Sequence, residues 1–116
     1  MTLELVIVIV LGLLLAAARA DARTWPRPPA WWLRQAACIH HYETMGLPDP
    51  AAWHDRRNPA SRGGMQFLPS TWRSVGGHGD PADAAKGEQI YRAWLLYLRS
   101  GHSWSQWSTH TVCGLR

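Results

Sequence analysis

This sequence is poor in most of the groups that would mark a common chemistry. Its 116 residues include two cysteines, Cys38 and Cys113, with no CxxC pair and no HExxH. No set of ligands falls at zinc spacing, so neither a metal nor another cofactor is expected. Lys86 is the single lysine among 12 cationic residues, and the arginines are scattered with no dense basic run. Nucleic-acid recognition needs such a patch, and none is present. No apolar run is long enough to be an ordinary membrane span. Residues 5–18, LVIVIVLGLLLAAA, fall short of the roughly 20 residues that cross a bilayer. Internal repeats are absent, and so is any low-complexity tract outside that run.

What is there begins with that same run. It ends in Ala18-Arg19-Ala20, an A-x-A pattern of the kind signal peptidase cuts. Residues 1–20 therefore read as a secretory signal. Glu4 stands ahead of the apolar core where Lys or Arg is usual, so the alternative is a membrane anchor retained through residues 5–18. No cysteine lies near Ala20, which argues against a lipid-anchored form. The exported chain would start near Asp21, and a chain that small has a marginal core and often adds a covalent staple. Export to an oxidising compartment with an even cysteine count favours a Cys38–Cys113 disulfide. Closing so long a loop would stabilise the fold by roughly 4 kcal/mol in the chain-entropy picture. The formal net charge of +4 suits an anionic partner such as a bacterial cell wall.

Residues 21–29, DARTWPRPP, form a proline-rich lead that cannot be helical throughout. A helix is predicted from Pro29 or Ala30 to Thr44, stopping before Gly46 and Pro48. Trp32, Ala36, Ile39 and Glu43 fall on one face of it. Residues 44–64 read as loop, and Gly63-Gly64 ahead of MQF reads as a small hairpin. Ser70 is the expected N-cap of a short helix ending at Gly76-Gly77. A last long helix is predicted over residues 85–100, capped by Gly101. Its inward face would hold Ile90, Ala93, Trp94, Tyr97 and Leu98. The tail, HSWSQWSTHTVCG, has no period.

The stretch CIHHYE, residues 38–43, gathers a thiol, two imidazoles and a carboxyl. At about 100° per residue these groups point to different sides of a helix, so they cannot converge on one ion. His40 and His41 read as surface or cleft-edge residues, with His40 placed to tune Glu43 as its i, i+3 neighbour. Glu43 is the unusual one. A carboxyl on an apolar stripe loses solvation, which raises its pKa, and a general acid at neutral pH needs that shift. The plain alternative is a frayed helix end or a pair with an arginine.

Residues 63–72, GGMQFLPSTW, resemble the G-x-M-Q-x-x-P-S-T signature of lytic transglycosylases with a lysozyme-like fold. The likeness is nearest to the transglycosylase-like domain of resuscitation-promoting factors and allied actinobacterial exported proteins. Those sequences also carry a Cys-then-Glu helix, an E-Q-I helix matched by Glu88-Gln89-Ile90, a W-x-x-W segment matched by Trp104 and Trp107, and a second Cys-Gly matched by Cys113-Gly114. The resemblance covers about residues 31–114. It implies a small, mainly helical α+β domain of lysozyme-like fold over residues 30–116, with a minimal hairpin and one disulfide. By position, the family's catalytic glutamate falls on Glu43, its groove-lining Gln and Thr on Gln66 and Thr71, and its disulfide on Cys38 and Cys113. Four residues separate Cys38 from Glu43, as in relatives reading C-I-x-x-x-E-S, with Thr44 in place of the Ser.

The resemblance implies cleavage of bacterial peptidoglycan between N-acetylmuramic acid and N-acetylglucosamine, with Glu43 as acid and then base. Either the muramoyl 6-hydroxyl attacks and an anhydro sugar forms, or water attacks with help from a second carboxylate. Asp55 is the candidate for that second role. Trp104 and Trp107 either stack on sugar rings or cover the disulfide; Trp72 and Trp94 are expected in the core. Met65 is expected to pack. A partner cell-wall hydrolase is a further expectation. The rival reading is a wall-binding or signalling module that keeps the fold and has lost turnover.

Overall fold

Pro29 is extended, at φ −57° and ψ 148°, and helix α1, Ala30–Glu43, begins immediately after it. Proline ahead of the first turn loses no needed N–H, and its carbonyl accepts from Leu33 at 3.0 Å. In this computed structural model residues 24–116 are described. The leader expected over residues 1–20 lies outside them, as does the start of the lead. Trp32, Ala36 and Ile39 are buried along α1, as the periodicity predicts. Among the described residues no helix is long and apolar enough to cross a membrane.

After α1 the chain makes a 3-10 turn, Ala51–His54, then a single antiparallel bridge between Arg62 and Phe67. The bridge is two-sided, with N–H to carbonyl distances of 2.9 and 3.0 Å. This is the expected hairpin at its smallest, and the other regular elements among the described residues are helices. Gly63 turns at φ +83°, and a Cβ on Gly64 would run into the Trp53 ring. The double glycine is therefore a steric requirement: the hairpin backbone lies directly on an indole.

Helix α2, Pro69–Ser74, starts with Pro69 in its first turn and Leu68 as N-cap. Ser70 is not the cap; proline at the helix start displaces the cap position to the preceding residue. A second 3-10 turn, Pro81–Asp83, is capped by the Asp80 side chain, which accepts from Ala82 N. Helix α3, Lys86–Arg99, buries Gln89, Ala93, Leu96 and Tyr97. Ile90, Trp94 and Leu98 are only partly buried against the core. The inward face is thus rotated toward Gln89, because every polar end of that amide is satisfied inside. Its Oε1 accepts from Gly64 N at 2.8 Å, and its Nε2 donates to the carbonyls of Trp53 and Ala84 at 2.8 and 2.9 Å.

Five tryptophans, Trp32, Trp53, Trp72, Trp104 and Trp107, are buried. The core is built on aromatic contacts: Trp104 stacks on Trp32 at 4.9 Å, and Phe67 meets both Trp72 and Trp107 edge-on. Met65 is fully buried among them. Cys38 and Cys113 form the expected disulfide, with Cα atoms 6.0 Å apart, tying α1 to the tail.

Candidate active site

Glu43 is the last residue of α1, half-buried on the helix face that also carries Trp32, Ala36 and Ile39. Burial pushes its carboxyl above the ordinary glutamate range, partly offset by a hydrogen bond from Thr109. That bond runs from Thr109 Oγ1 to Glu43 Oε1 at 3.0 Å. The frayed-end and arginine-pair alternatives both fail here: the carboxyl is held, and a hydroxyl holds it.

The next residue anchors the helix end. Thr44 is fully buried, its hydroxyl donates to the His40 carbonyl at 2.7 Å, and its own carbonyl accepts from Arg57 Nη2 at 2.6 Å. Arg57 in turn is clamped to Asp55. Asp55 Oδ1 accepts from the Arg57 backbone N–H and Nε, both at 3.0 Å, and Oδ2 accepts from Nη2 at 2.9 Å. Those bonds hold the Asp55 carboxyl below its usual range.

His40 does not tune Glu43. Its Nδ1 meets the Gly64 carbonyl at 2.6 Å, its Nε2 meets Asp49 Oδ1 at 2.9 Å, and its ring stacks on Trp53 at 4.0 Å. A carbonyl only accepts, so Nδ1 carries a proton. The i, i+3 spacing to Glu43 is overruled by these tertiary partners. His41 stays exposed, edge-on to Tyr42. Among the described residues no three His, Cys, Asp or Glu side chains gather as a metal-ligand set.

Gln66, Thr71 and Trp107 do come together. With Phe67, Leu68, Leu96 and Gln106 they line a small cleft of about 60 Å³. Gln66 sits at φ +51°, and its amide is held at both ends: Nε2 donates to the Gly63 carbonyl at 2.9 Å and Oε1 accepts from Ser61 at 3.0 Å. One N–H and one lone pair of that amide remain for a ligand. Trp104 and Trp107 are 1% and 4% exposed, so neither offers an open ring face. Trp104 Nε1 donates to Gln35 and Trp107 Nε1 to the Met65 carbonyl. The expected stacking role is corrected for Trp104, which is core; Trp107 reaches the cleft only as part of its wall. Thr109 lies two residues after Trp107, within about 7 Å of chain, so one short stretch of the tail serves both the cleft and Glu43.

A larger cavity, about 500 Å³, lies between the lead, α1 and the start of α3. The one carboxyl lining it among the described residues is Asp49, which the His40 hydrogen bond holds below the usual aspartate range. The Glu43 carboxyl is shifted in the opposite direction, the one a general acid at neutral pH needs.

The profile of the family described as transglycosylase-like domain matches residues 51–110 of this chain, just over half of it. The chain belongs to this family. The matched span takes in Gln66, Thr71, Trp104 and Trp107 and begins after Cys38 and Glu43. The chain is also similar to the resuscitation-promoting factor Rpf of Micrococcus luteus, 37% identical over 102 residues. That alignment takes up 85% of this chain and 41% of the relative, so the transglycosylase-like domain here spans well under half the relative's length. Its mainly helical architecture with one disulfide is that of a small lysozyme-like domain. Sequence reasoning singled out Glu43, Gln66 and Thr71; the fold brings Gln66 and Thr71 into one cleft and sets Glu43 against Thr109. It did not pick out Thr109 beside Glu43, Arg57 on the Thr44 carbonyl or Gln106 in the cleft wall, which sit in segments without periodicity.

Proposed function

We propose that this domain cleaves the glycan strand of bacterial peptidoglycan, with Glu43 as general acid and then base. The observation that carries the reading is the Glu43 carboxyl itself: half-buried, raised in pKa by desolvation, and hydrogen-bonded to Thr109, which lies two residues along the chain from Trp107 in the wall of a polar cleft. Protonated Glu43 donates to the glycosidic oxygen between N-acetylmuramic acid and N-acetylglucosamine, and the C1–O bond breaks. The Glu43 carboxylate then takes the proton of the muramoyl 6-hydroxyl as that oxygen bonds to C1, closing an anhydro ring. The proton count balances with one carboxyl. Gln66 and Thr71 hold the sugars, and the excess of cationic side chains favours the anionic wall. Export by the leader goes with this reading.

The single-carboxyl route is preferred to hydrolysis on the state of Asp55. A retaining or inverting hydrolase needs a second free carboxylate, and Asp55 has both oxygens committed to Arg57. Release of soluble muropeptides from purified sacculi by wild type, and its loss in Glu43→Gln, tests the reaction. Mass spectra of the products separate anhydro from reducing ends. Equal, negligible release by both proteins would instead favour a non-catalytic wall-binding or signalling module. Adding a second cell-wall hydrolase to the same assay tests whether cleavage depends on a partner.

A further inference from the structure

Glu43 has two carboxyl oxygens, and the fold treats them differently. Oε1 accepts from Thr109 at 3.0 Å; Oε2 accepts no hydrogen bond among the described residues. We infer that Thr109 is a positioning residue that directs the transferable proton of Glu43 to Oε2, and that the Cys38–Cys113 bridge holds Thr109 in place to do so. This rests on the proposed reaction at Glu43.

The argument is one of hydrogen-bond capacity. A carboxylate oxygen accepts from a hydroxyl, and so does the carbonyl oxygen of the protonated acid. A donor on Oε1 is therefore satisfied in both charge states if the acid proton sits on Oε2. A proton on Oε1 would place two hydrogens between the same pair of oxygens and force the hydroxyl to turn away. The Thr109 hydroxyl thus leaves Oε2 as the oxygen that gives and regains the proton.

Thr109 is held from two sides. It lies in the 3-10 turn Ser108–His110, whose last N–H donates to the Trp107 carbonyl at 3.0 Å, and Trp107 is tied to Met65. From the other side, Cys113 N donates to the Thr109 carbonyl at 3.3 Å, and Cys113 is bonded to Cys38 on the helix that ends in Glu43. Helix, disulfide, tail turn and the hydroxyl–carboxyl bond close one ring. The histidines and arginine nearest Glu43 on the elements around it have other contacts. His40 binds Gly64 and Asp49, His41 lies against Tyr42, Arg57 binds Asp55 and Thr44, and His110 Nδ1 bonds the Leu115 carbonyl. The effects that shift the Glu43 carboxyl are burial and the Thr109 hydroxyl alone.

The experiment compares wild type with Thr109→Val, which keeps the shape and removes the hydroxyl, and with Thr109→Ser, which restores it. Two readouts are taken: the titration of the Glu43 carboxyl by carbon NMR, and muropeptide release from sacculi across pH. In Thr109→Val the titration should move to higher pH, since a bond favouring the ionised form is gone. Release should fall about tenfold through lost orientation, and Thr109→Ser should recover both. The Cys38→Ala/Cys113→Ala double variant should move the titration in the same direction. A Glu43 titration unchanged in Thr109→Val overturns the inference, whatever the activity. A titration that moves in Thr109→Val but not in the double variant overturns the part given to the disulfide. Wild type that releases nothing while the titration still moves overturns the proposed reaction and leaves the Thr109–Glu43 coupling standing.

Discussion

Arg57 donates to the carbonyl of Thr44 across 2.6 Å, so the end of the helix that carries Glu43 is closed by a side chain 13 residues further on. The last carbonyls of a helix lack intrahelical partners and carry its negative end, and a guanidinium there satisfies both demands. The arginine is kept in place by the buried Asp55. Asp55→Ala should therefore cost stability, about 1–3 kcal/mol from the loss of a charged hydrogen-bonded partner. The pH dependence has a definite sign. The folded state holds the Asp55 carboxyl below its ordinary range, so its contribution is present above the unfolded carboxyl value, about 3.9, and is lost as pH falls through the lower folded value. Urea unfolding at pH 7 and in strong acid measures this: the gap between wild type and Asp55→Ala should be wide at pH 7 and narrow in acid.

Glu43 has the opposite sign. Its folded carboxyl is raised by burial, so the folded state binds a proton that the unfolded chain has already lost. Stability unaffected by Glu43 below the unfolded carboxyl range falls as pH rises through the raised folded value. Glu43→Gln should accordingly melt at a higher temperature than wild type at neutral pH and at the same temperature in acid. The same substitution should lower glycan cleavage by about 100- to 10,000-fold, the usual contribution of a general acid. Calorimetry across pH beside the sacculus assay covers both. A Glu43→Gln protein that is less stable at pH 7 would show that the carboxylate supports the fold and is not held at its expense.

Gln89 and Gly64 form a second testable unit. Gln89 is fully buried and joins the hairpin, the turn containing Trp53 and the start of α3 through three hydrogen bonds. Gln89→Leu removes the amide and leaves a buried N–H, a buried carbonyl and a part-buried carbonyl without their partner, at a cost of about 2–4 kcal/mol. Gly64→Ala sets a methyl against the Trp53 ring and should cost about 1–3 kcal/mol by overpacking. Both are read as the shift in urea midpoint.

Trp104 and Thr71 should separate fold from function. Trp104→Ala opens the aromatic core beside Trp32 and should destabilise by about 3–5 kcal/mol. Thr71→Val, in the cleft with Gln66, should leave the unfolding midpoint within about 0.5 kcal/mol and reduce glycan cleavage. If Thr71→Val cleaves sacculi as well as wild type, the cleft is not where the sugars sit.

Much of the helical frame was legible before any coordinates. Helix α1 shows in the spacing of Trp32, Ala36 and Ile39, and α3 between Lys86 and Gly101, because burial of one helix face imposes a period on the residues it selects. The same period placed Glu43 on the apolar side. The face of α3 around Gln89 is not legible in sequence, since an amide reads as polar and becomes a core residue only when three backbone groups from elsewhere meet it. The role of His40 is hidden for the same reason: its spacing to Glu43 is local, and its partners Gly64, Asp49 and Trp53 are not.

The sequence by itself determined where the helices run, which cysteines were available to pair, and that one carboxyl had been placed where solvation is poor. These follow from local geometry and composition, which act on near neighbours in the chain. Only the tertiary structure decided what surrounds that carboxyl. Thr109 lies 66 residues from Glu43, in a tail with no period. Its hydroxyl reaches Oε1 because the Cys38–Cys113 bridge and the Trp107–Met65 bond bring the tail back onto α1. The same closure buried Trp104 and Trp107: apolar rings on a returning segment are drawn into the core they complete, which removes Trp104 from solvent and leaves Trp107 only as part of the cleft wall.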